Sequence, residues 1–192
     1  MQNEQNDQNQ QPERYELTRP VFLIGFMGAG KTSVARRVAR DAGIASVDLD
    51  TYLERREGRR IKDIFADVGE EGFRAIETDV LTELAEKDEP LLVSCGGGIV
   101  TQDRNRDILA EKGMVIHLRV SADEAASRIS DLSSRPLFQD IEAARKRCED
   151  RLPLYESAAD VTIDTSGKSI AVIAGKVCNV LKKEGVLCPQ RK

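Results

Sequence analysis

Short apolar runs alternate with segments of helical period along this chain. Val21–Gly25 is an unbroken apolar run that ends in glycine, which predicts a buried strand. Lys31–Asp41 follows, with Val34, Ala35, Val38 and Ala39 at helical spacing, and Gly43 stops it. Ala45–Asp48 reads as a second strand, and Thr51–Arg56 and Ile61–Val68 as short helices parted by Gly58. Glu70–Lys87 is a longer helix with Phe73, Ile76, Val80, Leu81 and Leu84 on one stripe. Leu91–Ser94 predicts a third strand and Met114–Leu118 a fourth, with a helix over Arg104–Lys112 between them. Helices over Ala122–Ser130 and Ile141–Tyr155 flank a loop at Ser133–Gln139, and Pro153 is expected to disturb the second of them. Val161–Ile163 is a fifth strand and Ile170–Lys183 the last helix. Such alternation predicts an α/β domain, a parallel sheet covered by helices on both faces. Ligands then collect at the carboxyl ends of the strands.

The ends depart from this pattern. Residues 1–17 open on a Gln/Asn-rich stretch with nothing to bury, which predicts a disordered tail. A single domain is expected over 18–185, with 186–192 trailing from it. The chain has 192 residues, enough for one domain with a full core. Its net charge of −4 argues against nucleic acid as a partner. No apolar run approaches a membrane span. Cys95, Cys148, Cys178 and Cys188 are scattered with no CxxC pair, which suits structural thiols in a reducing, cytoplasmic setting.

Gly25-Phe26-Met27-Gly28-Ala29-Gly30-Lys31-Thr32 fits the phosphate-loop pattern GxxxxGK[ST], and it sits between a buried strand and a helix as that motif requires. The residues Gly28, Ala29, Gly30, Lys31, Thr32 and Ser33 are therefore the candidate ATP cradle. Glycines let backbone N–H groups approach phosphate oxygens, and a helix N-terminus adds further donors and a positive dipole end. Lys31 is expected to reach the β and γ phosphates and the Thr32 hydroxyl to ligate Mg²⁺.

The third strand, where many phosphate-loop proteins carry a metal-supporting Asp, ends instead in Cys95 and three glycines. The acids Asp48 and Asp50 at the end of the second strand are the substitutes. If the chain stays extended there, both face the crevice, one to support Mg²⁺ and its waters and the other to hold a substrate hydroxyl. One of them, with Asp50 the favoured choice, can instead be the N-cap of the next helix. Gly96, Gly97 and Gly98 place bare backbone at the same edge. Arg74, three residues before Glu77, Arg135 in the polar 131–139 loop and Arg151 ahead of Pro153 are the candidate cations for an anionic acceptor and for transferring phosphate.

The set GFMGAGKT, DLD, GFR, GGG, SRPLF and RLPLYE, in this order over roughly Val21 to Ile170, resembles shikimate kinase. The resemblance implies a three-layer αβα fold of the nucleoside monophosphate kinase type, with a five-stranded parallel sheet ordered 2-3-1-4-5. It implies transfer of the ATP γ-phosphate to the 3-hydroxyl of shikimate, in aromatic amino acid biosynthesis, with ATP and Mg²⁺. The substrate-binding region is then about 48–80 and the lid about 131–139. Asp50 matches the acid that binds the shikimate hydroxyls and assists proton removal, and Asp48 the acid near the metal, acting through water. Arg74 and Arg151 match the clamp on the shikimate carboxylate, and Gly96 to Gly98 the glycines beside it. Arg135 matches the lid arginine on the phosphates and Arg128 an arginine lying against adenine. Lys168 is a further candidate for contact with the nucleotide. The expected protein is a monomer whose partner is shikimate, with neither nucleic acid nor membrane.

Phe138, Ile99 and the DTSGKS stretch without proline at Ile170 depart from the family pattern and bear on nucleotide contacts. A kinase for another small hydroxy acid such as gluconate and a non-catalytic ligand-binding relative are the rivals. His117, in the fourth strand, reads as a sheet residue.

Overall fold

Val21–Ile24 forms a strand with all four residues fully buried, and the rest of the molecule is arranged around it. The structure, a computed structural model, describes residues 14–128 and 141–190. In chain order the strands are β1 (Tyr15–Leu17), β2 (Val21–Ile24), β3 (Ser46–Asp48), β4 (Leu92–Ser94), β5 (Met114–Arg119), β6 (Val161–Asp164) and β7 (Leu187–Pro189). The helices are α1 (Lys31–Ala42), α2 (Leu49–Glu57), α3 (Ile61–Ala85), α4 (Asp103–Lys112), α5 (Ala122–Ser127), α6 (Ile141–Ala158) and α7 (Ile170–Lys183).

Five strands make one parallel sheet in the order β3-β4-β2-β5-β6. Counted from the phosphate-loop strand this is 2-3-1-4-5, as the resemblance implies. The chain moves one way from β2 to β3 and the other way in every later crossover. With right-handed crossovers, α1 therefore lies on one face and α3, α4 and α6 on the opposite one. α7 returns to pack against α1. The strand order reverses beside β2, so the crevice opens at the end of the strand that carries the glycine loop.

Both ends of the domain extend past the expected limits. β1 and β7 pair antiparallel, Glu16 opposite Cys188, inside the segments read as tails. Leu17, Val186 and Leu187 are buried, and the Lys182 ammonium lies 4.1 Å from the centre of the Tyr15 ring. A three-residue strand carries too weak a pattern to stand out beside a polar leader.

α3 bends at Gly69 (φ 69°, ψ −172°), which separates the two helical pieces read from the sequence. α6 runs through Pro153 to Ala158, contrary to the expected break. Proline removes the N–H that would have met the Glu149 carbonyl and crowds that carbonyl, yet the helix continues for five residues beyond it. Inside, Thr78 Oγ1 donates to Asn105 Oδ1 at 2.7 Å and Asn105 Nδ2 donates to the Ile99 carbonyl at 3.0 Å. This buried pair ties α3 and α4 to the turn that follows the three glycines. No helix among the described residues is long and apolar enough to cross a membrane.

His117 lies on β5 opposite Ile24, stacked on Tyr155 with ring centres 5.1 Å apart and Thr162 Oγ1 3.5 Å from Nδ1. Burial, with the Arg119 and Lys31 charges, pulls its pKa down to about 4. The unfolded chain therefore binds a proton that the folded chain refuses, and stability declines as pH falls from about 6.5 towards 4. His117→Phe keeps the stack and removes this term. Between pH 7 and pH 5 the native chain should lose about 1–2 kcal/mol more unfolding free energy than the variant, measured by urea titration.

Candidate active site

The loop after β2 is shaped by close backbone contacts. A side chain at Gly25 (φ 140°) would put its Cβ 2.4 Å from the Leu118 carbonyl oxygen, and one at Gly28 (φ 79°) 2.7 Å from that of Ala125. Both positions need glycine on conformation and on space. Gly30 (φ 88°) is the N-cap of α1 and makes no side-chain cap hydrogen bond to it, and the positive end of the helix dipole favours an anion here. Lys31 is buried, and its Nζ donates to the carbonyls of Gly25 at 2.7 Å and Phe26 at 3.0 Å. The cation is thus tied to the start of its own loop. Ala29 is buried within the loop and Ser33 is exposed on the first turn of α1.

Asp48 joins three elements. Its Oδ1 accepts from Thr51 N and Thr51 Oγ1, both at 3.0 Å, and so caps α2. Its Oδ2 accepts from Thr32 Oγ1 at 2.7 Å and from Ser94 Oγ at 3.2 Å. Burial alone would raise the Asp48 pKa, but the hydrogen bonds from Thr32, Thr51 and Ser94 outweigh it and hold the carboxyl below its usual value. The two acids do not share one side of an extended chain, because α2 begins at Leu49. Asp48, not Asp50, is the cap, and Asp50 sits in the first helical turn.

That turn aims Asp50 at the glycines. A Cβ on Gly96 would meet Asp50 Oδ1 at 2.9 Å and Glu77 Oε1 at 3.1 Å. One on Gly98 would meet both terminal nitrogens of Arg74 at 2.5 Å, and one on Gly97 would lie 3.5 Å from Met27 N of the phosphate loop. Arg151 Nη1 donates to the Gly97 carbonyl at 3.1 Å, and so does the Tyr155 hydroxyl at 2.5 Å. Asp50, Arg74 and Arg151 therefore converge around the three glycines, next to the phosphate loop.

Arg74 is held by Glu77, Nη1 to Oε2 at 2.7 Å, and more loosely by Glu70 at 3.4 Å, with its guanidinium 5.2 Å from the Phe73 ring centre. Its Nε is buried and has no hydrogen-bond partner among the described residues. Burial raises the Glu77 pKa, and the Arg74 charge opposes that rise. Arg128, at the end of α5, donates from Nη1 to Thr165 Oγ1 at 3.1 Å and from Nη2 to the Thr165 carbonyl and Glu124 Oε1, both at 2.6 Å. Lys168 Nζ turns back to the Ser166 carbonyl at 3.0 Å in the same loop. Arg135 and Phe138 lie outside the described residues.

Three participants were not singled out from the sequence. Ser94 is visible only through its strand register opposite Asp48. Tyr155 stands four residues after Arg151 and Glu124 four before Arg128, spacings that place each pair on one helix face. Only the fold shows what those faces meet.

The family model described as shikimate kinase matches residues 27–182. The shikimate kinase of Actinobacillus succinogenes is 36% identical over 167 residues, 85% of this chain and 95% of that protein. That of Bacillus cytotoxicus is 37% identical over 161 residues, 83% and 96% of the two chains. Among solved structures, shikimate kinase from Acinetobacter baumannii in complex with shikimate superposes with a TM-score of 0.80 at 35% identity, covering 86% of this chain and 94% of its own. A gluconokinase from Sinorhizobium meliloti matches with a TM-score of 0.54 at 19% identity, which reflects the shared fold alone.

Glu77→Ala leaves the largely enclosed Arg74 cation without its closest counter-charge. The loss in unfolding free energy is expected towards the lower end of the about 3–5 kcal/mol typical of a broken buried pair, since Glu70 remains nearby. The urea midpoint should fall at unchanged m-value.

Proposed function

The chain belongs to the shikimate kinase family, and we propose how its residues share the work of that reaction. The enzyme transfers the ATP γ-phosphate to the 3-hydroxyl of shikimate, giving shikimate 3-phosphate and ADP, a step in aromatic amino acid biosynthesis. One observation carries the assignment of roles: Asp50, Arg74 and Arg151 meet at three side-chain-free residues beside the loop that cradles phosphate.

Phosphoryl transfer asks a protein mainly for positioning and for neutralisation of charge. The shikimate carboxylate is taken by Arg74 and Arg151. The Arg74 Nε–H, buried without a partner, is the donor that a carboxylate would satisfy, and two guanidinium forks orient it in a way that ammonium groups would not. Glu77 holds Arg74 in place for this. Gly96 and Gly98 leave room for Asp50, Glu77 and Arg74 to face the acceptor, since a side chain at either position would strike them. Asp50 accepts a hydrogen bond from the attacking hydroxyl and assists removal of its proton. On the nucleotide side, the N–H groups at the start of α1 and Lys31 hold the phosphates, with Lys31 exchanging its loop carbonyls for phosphate oxygens. Arg128 lies against the adenine, and Lys168 serves the same end of the nucleotide.

The pairing of a hydroxyl, Thr32, with a low-pKa carboxylate, Asp48, and a second hydroxyl, Ser94, is a set of hard oxygen donors that fits Mg²⁺. Thr32 would ligate the ion directly and Asp48 through water. Bound there, Mg²⁺ would neutralise charge on the β and γ phosphates. The enzyme is further proposed to be a cytoplasmic monomer that does not bind nucleic acid, with its four cysteines reduced.

Asp50→Asn should lower kcat by about 10²–10⁴-fold, the range of a general base, while ADP still binds by calorimetry. Native-like turnover in that variant would remove the role. Arg74→Ala should raise the shikimate KM roughly 10- to 100-fold with the ATP KM little altered, as expected for a lost hydrogen bond between charged groups. A coupled ADP assay run with shikimate and with gluconate measures both effects, and gluconate turned over as well as shikimate would overturn the acceptor assignment.

A further inference from the structure

Glu124 is, on its own helix, an ordinary surface partner of Arg128 four residues on, an arrangement worth little by itself. Its surroundings give it more to do. The same Oε1 that meets Arg128 Nη2 at 2.6 Å also accepts the backbone N–H of Gly167 at 2.7 Å, from a loop 43 residues away. Arg128 grips that loop too, through both the hydroxyl and the carbonyl oxygen of Thr165. Thr165 is fully buried, and its hydroxyl donates to the Arg119 carbonyl at 2.9 Å, which anchors it to the end of β5. Ser166 reaches back to the Asp164 carboxylate through its N–H at 2.8 Å, which tightens the turn.

The two walls joined in this way flank the phosphate loop. On one side, the Ala125 carbonyl of α5 would lie 2.7 Å from a Cβ on Gly28. On the other, Ile170 Cδ1, at the start of α7, would lie 3.2 Å from a Cβ on Gly30. Hydrogen bonds to a guanidinium lie in its plane, so partners on Nη1 and Nη2 fix the plane and leave its flat face available to an aromatic base.

We infer that Glu124 is a positioning residue of the nucleotide site, which clamps the Arg128 plane and the Thr165–Lys168 turn into one platform for the base. This rests on the placement of Arg128 against adenine given above. Glu124 touches neither phosphate nor acceptor in this arrangement, so its contribution falls on binding of ATP and ADP and not on the transfer step.

The experiment is a double-mutant cycle on the full chain with Glu124→Ala, Arg128→Ala and the pair, together with Glu124→Gln. Expected are a roughly tenfold rise in the ATP KM for Glu124→Ala, the size of one lost charge-assisted hydrogen bond, and a smaller rise for Glu124→Gln. The kcat and the shikimate KM should stay within about twofold of the native values, and ADP affinity by calorimetry should fall in step with the ATP KM. In the Arg128→Ala background the Glu124 substitution should add clearly less than it does alone. Asp123→Asn, which loosens only the surface pair with Arg145, should leave the ATP KM unchanged. If Arg128→Ala raises the ATP KM and Glu124→Ala does not, or if the two effects multiply independently, the inference about Glu124 is overturned while the role of Arg128 stands. If Arg128→Ala itself leaves the ATP KM unaltered, the placement of Arg128 falls and the inference with it.

Discussion

The carboxylate of Asp48 is the joint on which the site depends. Four donors meet it: the Thr51 amide and hydroxyl at the start of α2, Thr32 at the start of α1, and Ser94 at the end of β4. A single side chain thereby terminates β3, begins the helix that carries Asp50, and fixes that helix against the phosphate loop. The donors outweigh burial and favour the ionised carboxylate. The local folding of β3 into α2 and the docking of that helix on α1 and β4 thus draw on the same two oxygens.

The second constraint is volume. Beside the glycine loop there is room for backbone only at two positions, and Gly96 and Gly98 supply it. Carboxylates of Asp50 and Glu77 border Gly96, and the guanidinium of Arg74 borders Gly98. Opposite charges are packed here at close range in a partly dry setting, which makes their mutual orientation energetically decisive. Glu77 has its pKa raised by burial, yet the adjacent Arg74 opposes that rise. The result is a cation held by Glu77, with its Nε lacking a hydrogen-bond partner among the described residues.

α6 brings the opposite side of the site into line. Arg151 and Tyr155 both meet the Gly97 carbonyl, and Tyr155 rests on His117, whose strand lies against β2. The Arg151 and Tyr155 contacts and the glycine loop are therefore braced against the same central strands. On the far side of the glycine loop, α5 and the turn after β6 are drawn together over Arg128 in a comparable way, so two separate braces share one sheet.

The periodicity of the chain was enough to read the parallel sheet and most of its helices, because buried strands and amphipathic helices leave strong patterns. The glycine loop with Lys31 and Thr32 was legible for the same reason, since its spacing has one dominant chemical use. Asp50, Arg74, Arg151 and the three glycines were legible as candidates, and their grouping came from resemblance to a family. Other features were decided only in three dimensions. Pro153 did not break α6, whose Tyr155, beyond the proline, is buried and bonded to the Gly97 carbonyl. The β1–β7 ribbon joins chain ends whose short strands carry no pattern of their own. Asp48 took the cap that Asp50 was the stronger candidate for, and Ser94, Tyr155 and Glu124 gained their partners across 46, 58 and 43 residues of sequence. A local pattern records what each residue prefers to bury or expose; which donor meets which acceptor depends on the register of distant strands and helices, and that register is set by the packing of the whole core.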